Sequence, residues 1–189
     1  MQTEALTGGF ANPPVEASRG FRAALNALAR PGTIETVAGA EAPAPVSTAA
    51  AVLLLTLCDA ETPLYLAPGH DGQAVRDWIA FHIGAPIADA GEAMFALGTW
   101  AALQPLAPFR AGTSEYPDRS VTLIVEMEAL EQKGARLTGP GIREAAHLSL
   151  PEIAAFQTNR AAFPLGRDFY FCAGDRLAGL PRSTMVEAG

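Results

Sequence analysis

VTLIVEMEAL, Val121 to Leu130, groups β-branched residues at Val121 to Val125 more densely than any other part of the chain. Such side chains lose rotamer freedom in a helix and pack well on a pleated surface, so the stretch predicts a strand. Its natural companion in a core is the apolar run Thr48 to Leu57, TAAAVLLLTL, which is hydrophobic almost all round and therefore predicts a buried helix. What lies between and around these two decides the fold class.

Towards the N-terminus, AMFALGT and TPLYLAP (Thr62 to Pro68) read as strands on either side of HDGQAVRDWIAFHIG. That stretch predicts a helix with Val75, Trp78, Ile79 and Phe81 to Ile83 on its apolar side. TIETVA, with Ile34 and Val37, predicts a short strand, and the proline-rich GAEAPAPVS connects it to the apolar helix. Val15 to Ala29 predicts a further helix with Phe21, Leu25 and Leu28 at helical spacing, stopped by RPG, and residues 1–14 predict an extended arm. Towards the C-terminus, ARLTGPG predicts a strand that pairs antiparallel with Val121 to Leu130 across the EQKG turn. LSLPEIAAFQTNRAAF predicts a helix with Pro151 in its first turn, and DFYFCAG closes the list of strands. Helices and strands alternate early and strands cluster late, which implies one α/β domain over residues 15–189, a three-layer sandwich around a mixed sheet.

Composition fits this. The chain has 189 residues, 49% apolar and 17% charged, enough to bury a substantial core. The longest apolar run falls short of the roughly 20 residues needed to cross a bilayer. The N-terminal sequence lacks the basic and apolar regions of a signal peptide, so the cytoplasm is the expected location. Cys58 and Cys172 sit in apolar runs and read as small core residues. A net charge of -7 argues against a nucleic-acid partner, which requires a basic face.

Several chemistries are excluded by what their sites need. TGPGIRE lacks the lysine and hydroxyl of a phosphate loop, Pro140 removes an amide donor, and Glu144 stands where a dinucleotide fingerprint needs its third glycine; the segment reads as a turn. His70, His82 and His147 are too scattered for a metal cluster and read as surface or partly satisfied histidines, with no metal expected. No Gly-x-Ser-x-Gly elbow occurs. Lys133 is the single lysine beside twelve arginines, and its EQKG context reads as an exposed turn, so a pyridoxal phosphate Schiff base is not expected. The arginines at element ends, Arg30, Arg119, Arg167 and Arg182, either line a cleft or satisfy local carbonyls and carboxylates. Arg119, Arg167, Asp168 and Arg182 are the candidate ligand-binding residues.

Five stretches, NPPVEASRGFRAALNALARPGTI, LLLTLCDAETPLYL, GTSEYPDRSVTLIVEMEAL, RLTGPGI and FPLGRDFYFCAGDRLAGLPRST, occur in an order that resembles the PhnH family, a subunit of the bacterial carbon-phosphorus lyase core complex. The resemblance spans roughly residues 12–185. It implies a role in organic phosphonate catabolism, where the complex joins methylphosphonate to ATP to give ribose 1-methylphosphonate 5-triphosphate. It also implies a fold similar to the pyridoxal-phosphate-dependent transferases without that cofactor, a homodimer, and the G, I and J subunits as partners. No catalytic residue carries over, so the resemblance implies a non-catalytic or co-catalytic subunit acting through assembly or a shared site. The alternative is a stand-alone enzyme or binder of a phosphorylated ligand that uses the arginine-lined turns.

Overall fold

A computed structural model describes residues 6–189. Helix α1 (Pro13–Ala29) opens on two prolines, which cost nothing in a first turn whose amides have no intrahelical acceptor. Its Glu16 carboxylate accepts the Asn12 amide at 2.8 Å. Of the segment expected as an arm, residues 1–5 lie outside the described residues; further on, the Gly8 carbonyl accepts the Glu41 amide at 2.8 Å. Helix α2 (Thr48–Leu57) is capped by Ser47, whose hydroxyl accepts the Ala50 amide at 3.2 Å. Helices α3 (Gln73–His82) and α4 (Ala154–Ala161) are shorter.

Strands β1 (Ile34–Thr36), β2 (Leu64–Leu66), β3 (Phe95–Thr99), β4 (Thr122–Glu126), β7 (Asp168–Ala173) and β8 (Arg176–Leu180) form a six-stranded sheet in the order β1-β8-β7-β4-β3-β2. β2, β3, β4 and β7 run parallel; β8 is antiparallel to both its neighbours. The sheet is mixed, as the sequence pattern implies. The outer edge of β2 is occupied by its own chain: the Leu64 amide donates to Pro86 at 2.9 Å and the Leu64 carbonyl accepts from Ala88 at 3.0 Å.

β4 is central, and Leu123, Ile124 and Val125 are fully buried because successive side chains enter different cores. Ile124 joins Leu97, Tyr170 and Cys172 against α1, α2 and α3. Leu123 and Val125 join Phe169 and Phe171 on the other face, where Phe156 of α4 packs with a three-stranded sheet, β5 (Ala135–Thr138), β6 (Ala146–Leu148) and β9 (Met185–Glu187), ordered β6-β5-β9.

That small sheet corrects the expected β4–β5 hairpin. Both edges of β4 are taken by β3 and β7, so a central strand has no amides left to offer β5. The chain leaves after Glu126, and β5 pairs with β6 and β9 instead. Two strands follow DFYFCAG rather than none. β7 and β8 are joined across Gly174 (φ +59°) and Asp175, and β9 comes after Arg182. Pro151 lies ahead of α4, not in its first turn.

The face of α1 is largely turned round, although Leu28 packs against the core as expected. Phe21 and Leu25 are 54% and 55% exposed, and Gly20, Ala23, Ala24 and Ala27 turn inward. The backbones approach too closely for larger side chains: a Cβ on Gly20 would lie 2.5 Å from the Thr56 hydroxyl, and one on Gly179 of β8 would lie 2.7 Å from the Ala27 carbonyl carbon. On α3, Val75, Trp78 and Ile79 are buried as expected, but Phe81 is exposed. The GPG segment is a turn, with Gly139 and Gly141 at φ +126° and +82° and the Ile142 amide donating to the Gly139 carbonyl at 3.2 Å. Gly141 sits so close to the end of α1 that a Cβ there would overlap the Ala29 carbonyl.

Candidate functional site

Two of the four candidate residues, Arg182 and Asp168, meet where β7 begins. Arg182, which follows β8, enters through its Nε at 3.1 Å and Nη2 at 2.5 Å from the two oxygens of Asp168, while its backbone amide donates to Asp168 at 2.8 Å. The same guanidinium donates from Nη1 to the Pro117 carbonyl at 2.6 Å and from Nη2 to the Ser120 hydroxyl. Arg182 and Asp168 are mostly buried, their side chains 13% and 24% exposed. The pair therefore ties the loop before β4 to the ends of β7 and β8, and every nitrogen of the guanidinium is engaged within the protein.

Arg167 points elsewhere. Its Nε and Nη2 both donate to the Phe109 carbonyl, at 3.1 and 2.6 Å. The side chain of buried Asn159 grips its backbone twice, accepting from the Arg167 amide and donating to the Arg167 carbonyl, each at 2.8 Å. Burial draws the Arg167 pKa below the ordinary arginine value, because a charge is held away from water. Arg119 stands apart from these contacts, its guanidinium stacked 3.9 Å above the Tyr116 ring.

Open α/β sheets place ligands at the carboxyl ends of parallel strands, the opposite end of β7 from Asp168. At that end, Glu126 terminates β4 and accepts the Ser47 amide at 2.7 Å at the start of α2. Burial raises its pKa, opposed in part by that hydrogen bond. His70, four residues beyond β2, is 3% exposed, and neither ring nitrogen has a hydrogen-bond partner among the described residues. This corrects its reading as a surface or partly satisfied histidine: the following turn folds it inward, and burial lowers its pKa. Sequence reasoning passed over Glu126, whose signal is a lone carboxylate closing an apolar run.

The remaining chemistry-bearing groups are quiet. Burial, aided by the neighbouring Asp59 charge, pushes the Cys58 thiol up to about 12, and Cys172 is raised by burial as well. Both are free thiols. Lys133 is exposed and paired with Glu131 at 2.7 Å. Among the described residues no helix is long and apolar enough to cross a membrane, and no three His, Cys, Asp or Glu side chains gather as a metal site.

The family model for a bacterial phosphonate metabolism protein (PhnH) matches residues 8–187. The chain belongs to the PhnH family. Its relatives include the alpha-D-ribose 1-methylphosphonate 5-triphosphate synthase subunit PhnH of Rhizobium meliloti (strain 1021), 40% identical over 98% of both chains. A second, from Stutzerimonas stutzeri and named "Putative C-P lyase subunit protein HtxG", is 31% identical over 88% of this chain and 83% of its own. The PhnH resemblance of the five ordered stretches therefore holds across nearly the whole fold, including the β7–β8 hairpin that carries Asp168 and leads to Arg182.

Proposed function

We propose that this chain is a subunit of the carbon-phosphorus lyase core complex, contributing to formation of ribose 1-methylphosphonate 5-triphosphate from ATP and methylphosphonate through assembly or a shared site. The observation that carries this reading is the 40% identity to the Rhizobium meliloti synthase subunit over 98% of both chains. It is read as a non-catalytic or co-catalytic subunit, because Arg182 and Asp168 are spent on each other and on the loop before β4. The same reading places it in the cytoplasm, as a homodimer that associates with the G, I and J subunits, on a fold like that of the pyridoxal-phosphate transferases but working without that cofactor. The exposed position of Lys133 supports the last point, since a Schiff base needs a lysine enclosed with its phosphate anchor.

Exposed Phe21 and Leu25, one helical turn apart on α1, supply an apolar contact for such assembly. Coexpression with the G, I and J subunits tests the reading: the wild-type chain copurifies with them, and the isolated chain neither releases adenine from ATP nor consumes methylphosphonate. The double variant Phe21→Glu, Leu25→Glu keeps the wild-type melting temperature and loses partner binding or self-association. Turnover by the pure chain alone overturns the reading in favour of a stand-alone enzyme.

A further inference from the structure

Arg167 and Asp168 are adjacent in sequence, yet they do not neutralise each other. Asp168 begins β7 and turns to Arg182, which leaves Arg167 without a carboxylate among the described residues. A half-buried cation without a counterion is costly, and the protein holds this one in place with unusual care. Asn159 fixes its backbone on both sides, and the Phe109 carbonyl fixes the Nε–Nη2 edge of the guanidinium. Gly166 precedes it at φ +125°, with the Asn159 carbonyl 3.0 Å from where a Cβ would stand, so the approach to Arg167 requires glycine. Nη1 has no partner among the described residues. Two donors on the guanidinium are thus committed to shaping and the rest are left over.

Arg167 lines a cleft of about 440 Å³ between α4 and the segment preceding Phe109. The walls are mainly apolar, formed by Leu106 and by alanines of α4 such as Ala155, with Gln104 and Thr158 as sparse polar groups. Glu152 also borders it, its carboxylate accepting from the Trp100 indole at 3.3 Å. Small-molecule sites commonly combine this size and apolarity with a few fixed polar groups. We propose that this cleft binds a small organic anion, a phosphonate or carboxylate head on Arg167 with a short apolar body against Leu106 and α4. The cleft is lined by residues of this chain, so it can be tested on the isolated chain whatever the outcome of copurification.

Calorimetric titration of the full chain with 2-phenylethylphosphonate and with 3-phenylpropionate, which share one apolar body, is the test, and 3-phenylpropan-1-ol is the neutral control. Saturable binding by either acid, with at least about tenfold weaker binding of the alcohol, is expected, since a charge-assisted hydrogen bond supplies a difference of that order. Preference for the phosphonate narrows the ligand to that head group; equal binding assigns a general organic-anion site. Arg167→Gln weakens binding roughly tenfold or more. Ala155→Leu, which fills the cleft without touching the Phe109 contact, weakens it too and decides the matter if Arg167→Gln does not fold. The proposal is overturned by absence of saturable binding of both acids at tens of millimolar, by equal binding of the alcohol, or by unchanged binding in a folded Ala155→Leu protein.

Discussion

Replacing Arg182 by alanine removes one side chain but strands several groups. The guanidinium supplies two hydrogen bonds to Asp168, one to the Pro117 carbonyl and one to the Ser120 hydroxyl. With Arg182 only 13% exposed and Asp168 24% exposed, water restores these partners incompletely. Breaking a fully buried pair costs about 3–5 kcal/mol; the partial exposure of Asp168, and the Arg182 amide bond it keeps, lower the expectation to about 2–4 kcal/mol. Urea unfolding measures this as a fall in midpoint at unchanged slope. Asp168→Asn keeps Oδ1 as acceptor for the Arg182 amide and Nε but loses the charge and the acceptor for Nη2; it costs less than Arg182→Ala, which also leaves the Pro117 carbonyl and the Ser120 hydroxyl without their donor. The double variant Arg182→Ala, Asp168→Asn costs less than the sum of the two, because the second change relieves the charge stranded by the first. A loss below about 0.5 kcal/mol for Arg182→Ala, the range of ordinary surface changes, refutes the assignment of this arginine as the tie between loop, β7 and β8. Strict additivity in the cycle refutes the pairing as its cause.

Further outcomes follow from the packing and the buried ionisable groups. Gly179→Val places a side chain where even a Cβ lies 2.7 Å from the backbone of α1, so α1 must shift; a loss of at least about 2 kcal/mol is expected by urea unfolding, against under 0.5 kcal/mol for the exposed Leu25→Gln. His70 has a folded-state pKa below its ordinary 6.5, so the unfolded chain binds the extra proton first, and stability falls as pH drops below about 6.5 until the folded histidine also titrates. The advantage of His70→Phe over wild type therefore grows from pH 7 towards pH 5; a constant difference counts against a neutral buried imidazole. Glu126, raised above its ordinary 4.5, acts in the opposite sense: its contribution is full below 4.5 and is lost as pH rises through the folded pKa. Glu126→Gln, which can still accept from Ser47, removes that loss, and no stabilisation relative to wild type at pH 7 would speak against a strained carboxylate there.

What could be seen in the sequence was governed by how far each cause reaches along the chain. The β4 strand and the α2 helix are legible because their residues are apolar on every side, a pattern that leaves only the central positions of a sheet and its covering layer. The inward face of α1 was misread because large apolar residues usually mark the core, whereas here close backbone approach selects glycine and alanine and sends Phe21 and Leu25 outward. β8 was missed because Ala178 and Gly179 are weak strand formers, placed there by contact with α1 and β7 rather than by propensity. At the candidate site, arginine beside a turn marks Arg167 and Arg182 without saying whether either holds a ligand or ties loops together. The partners of each depended on contacts across tens of residues, Phe109 for one and Pro117, Ser120 and Asp168 for the other. His70 and Glu126 carried no motif; only the fold reveals that His70 is buried and Glu126 half-buried.

The flanks of the large sheet decide how such a subunit can join others. Leu64 of β2 has spent its outer amide and carbonyl on residues 86–88, and β1 and β2 are each only three residues long, so neither flank offers a long run of amides and carbonyls to a neighbouring chain. Along this sheet, recognition by another chain is thereby left to side chains, a vocabulary that can diverge one substitution at a time. Related chains can then differ in what they recognise through changed surfaces alone, while the scaffold that presents those surfaces stays the same.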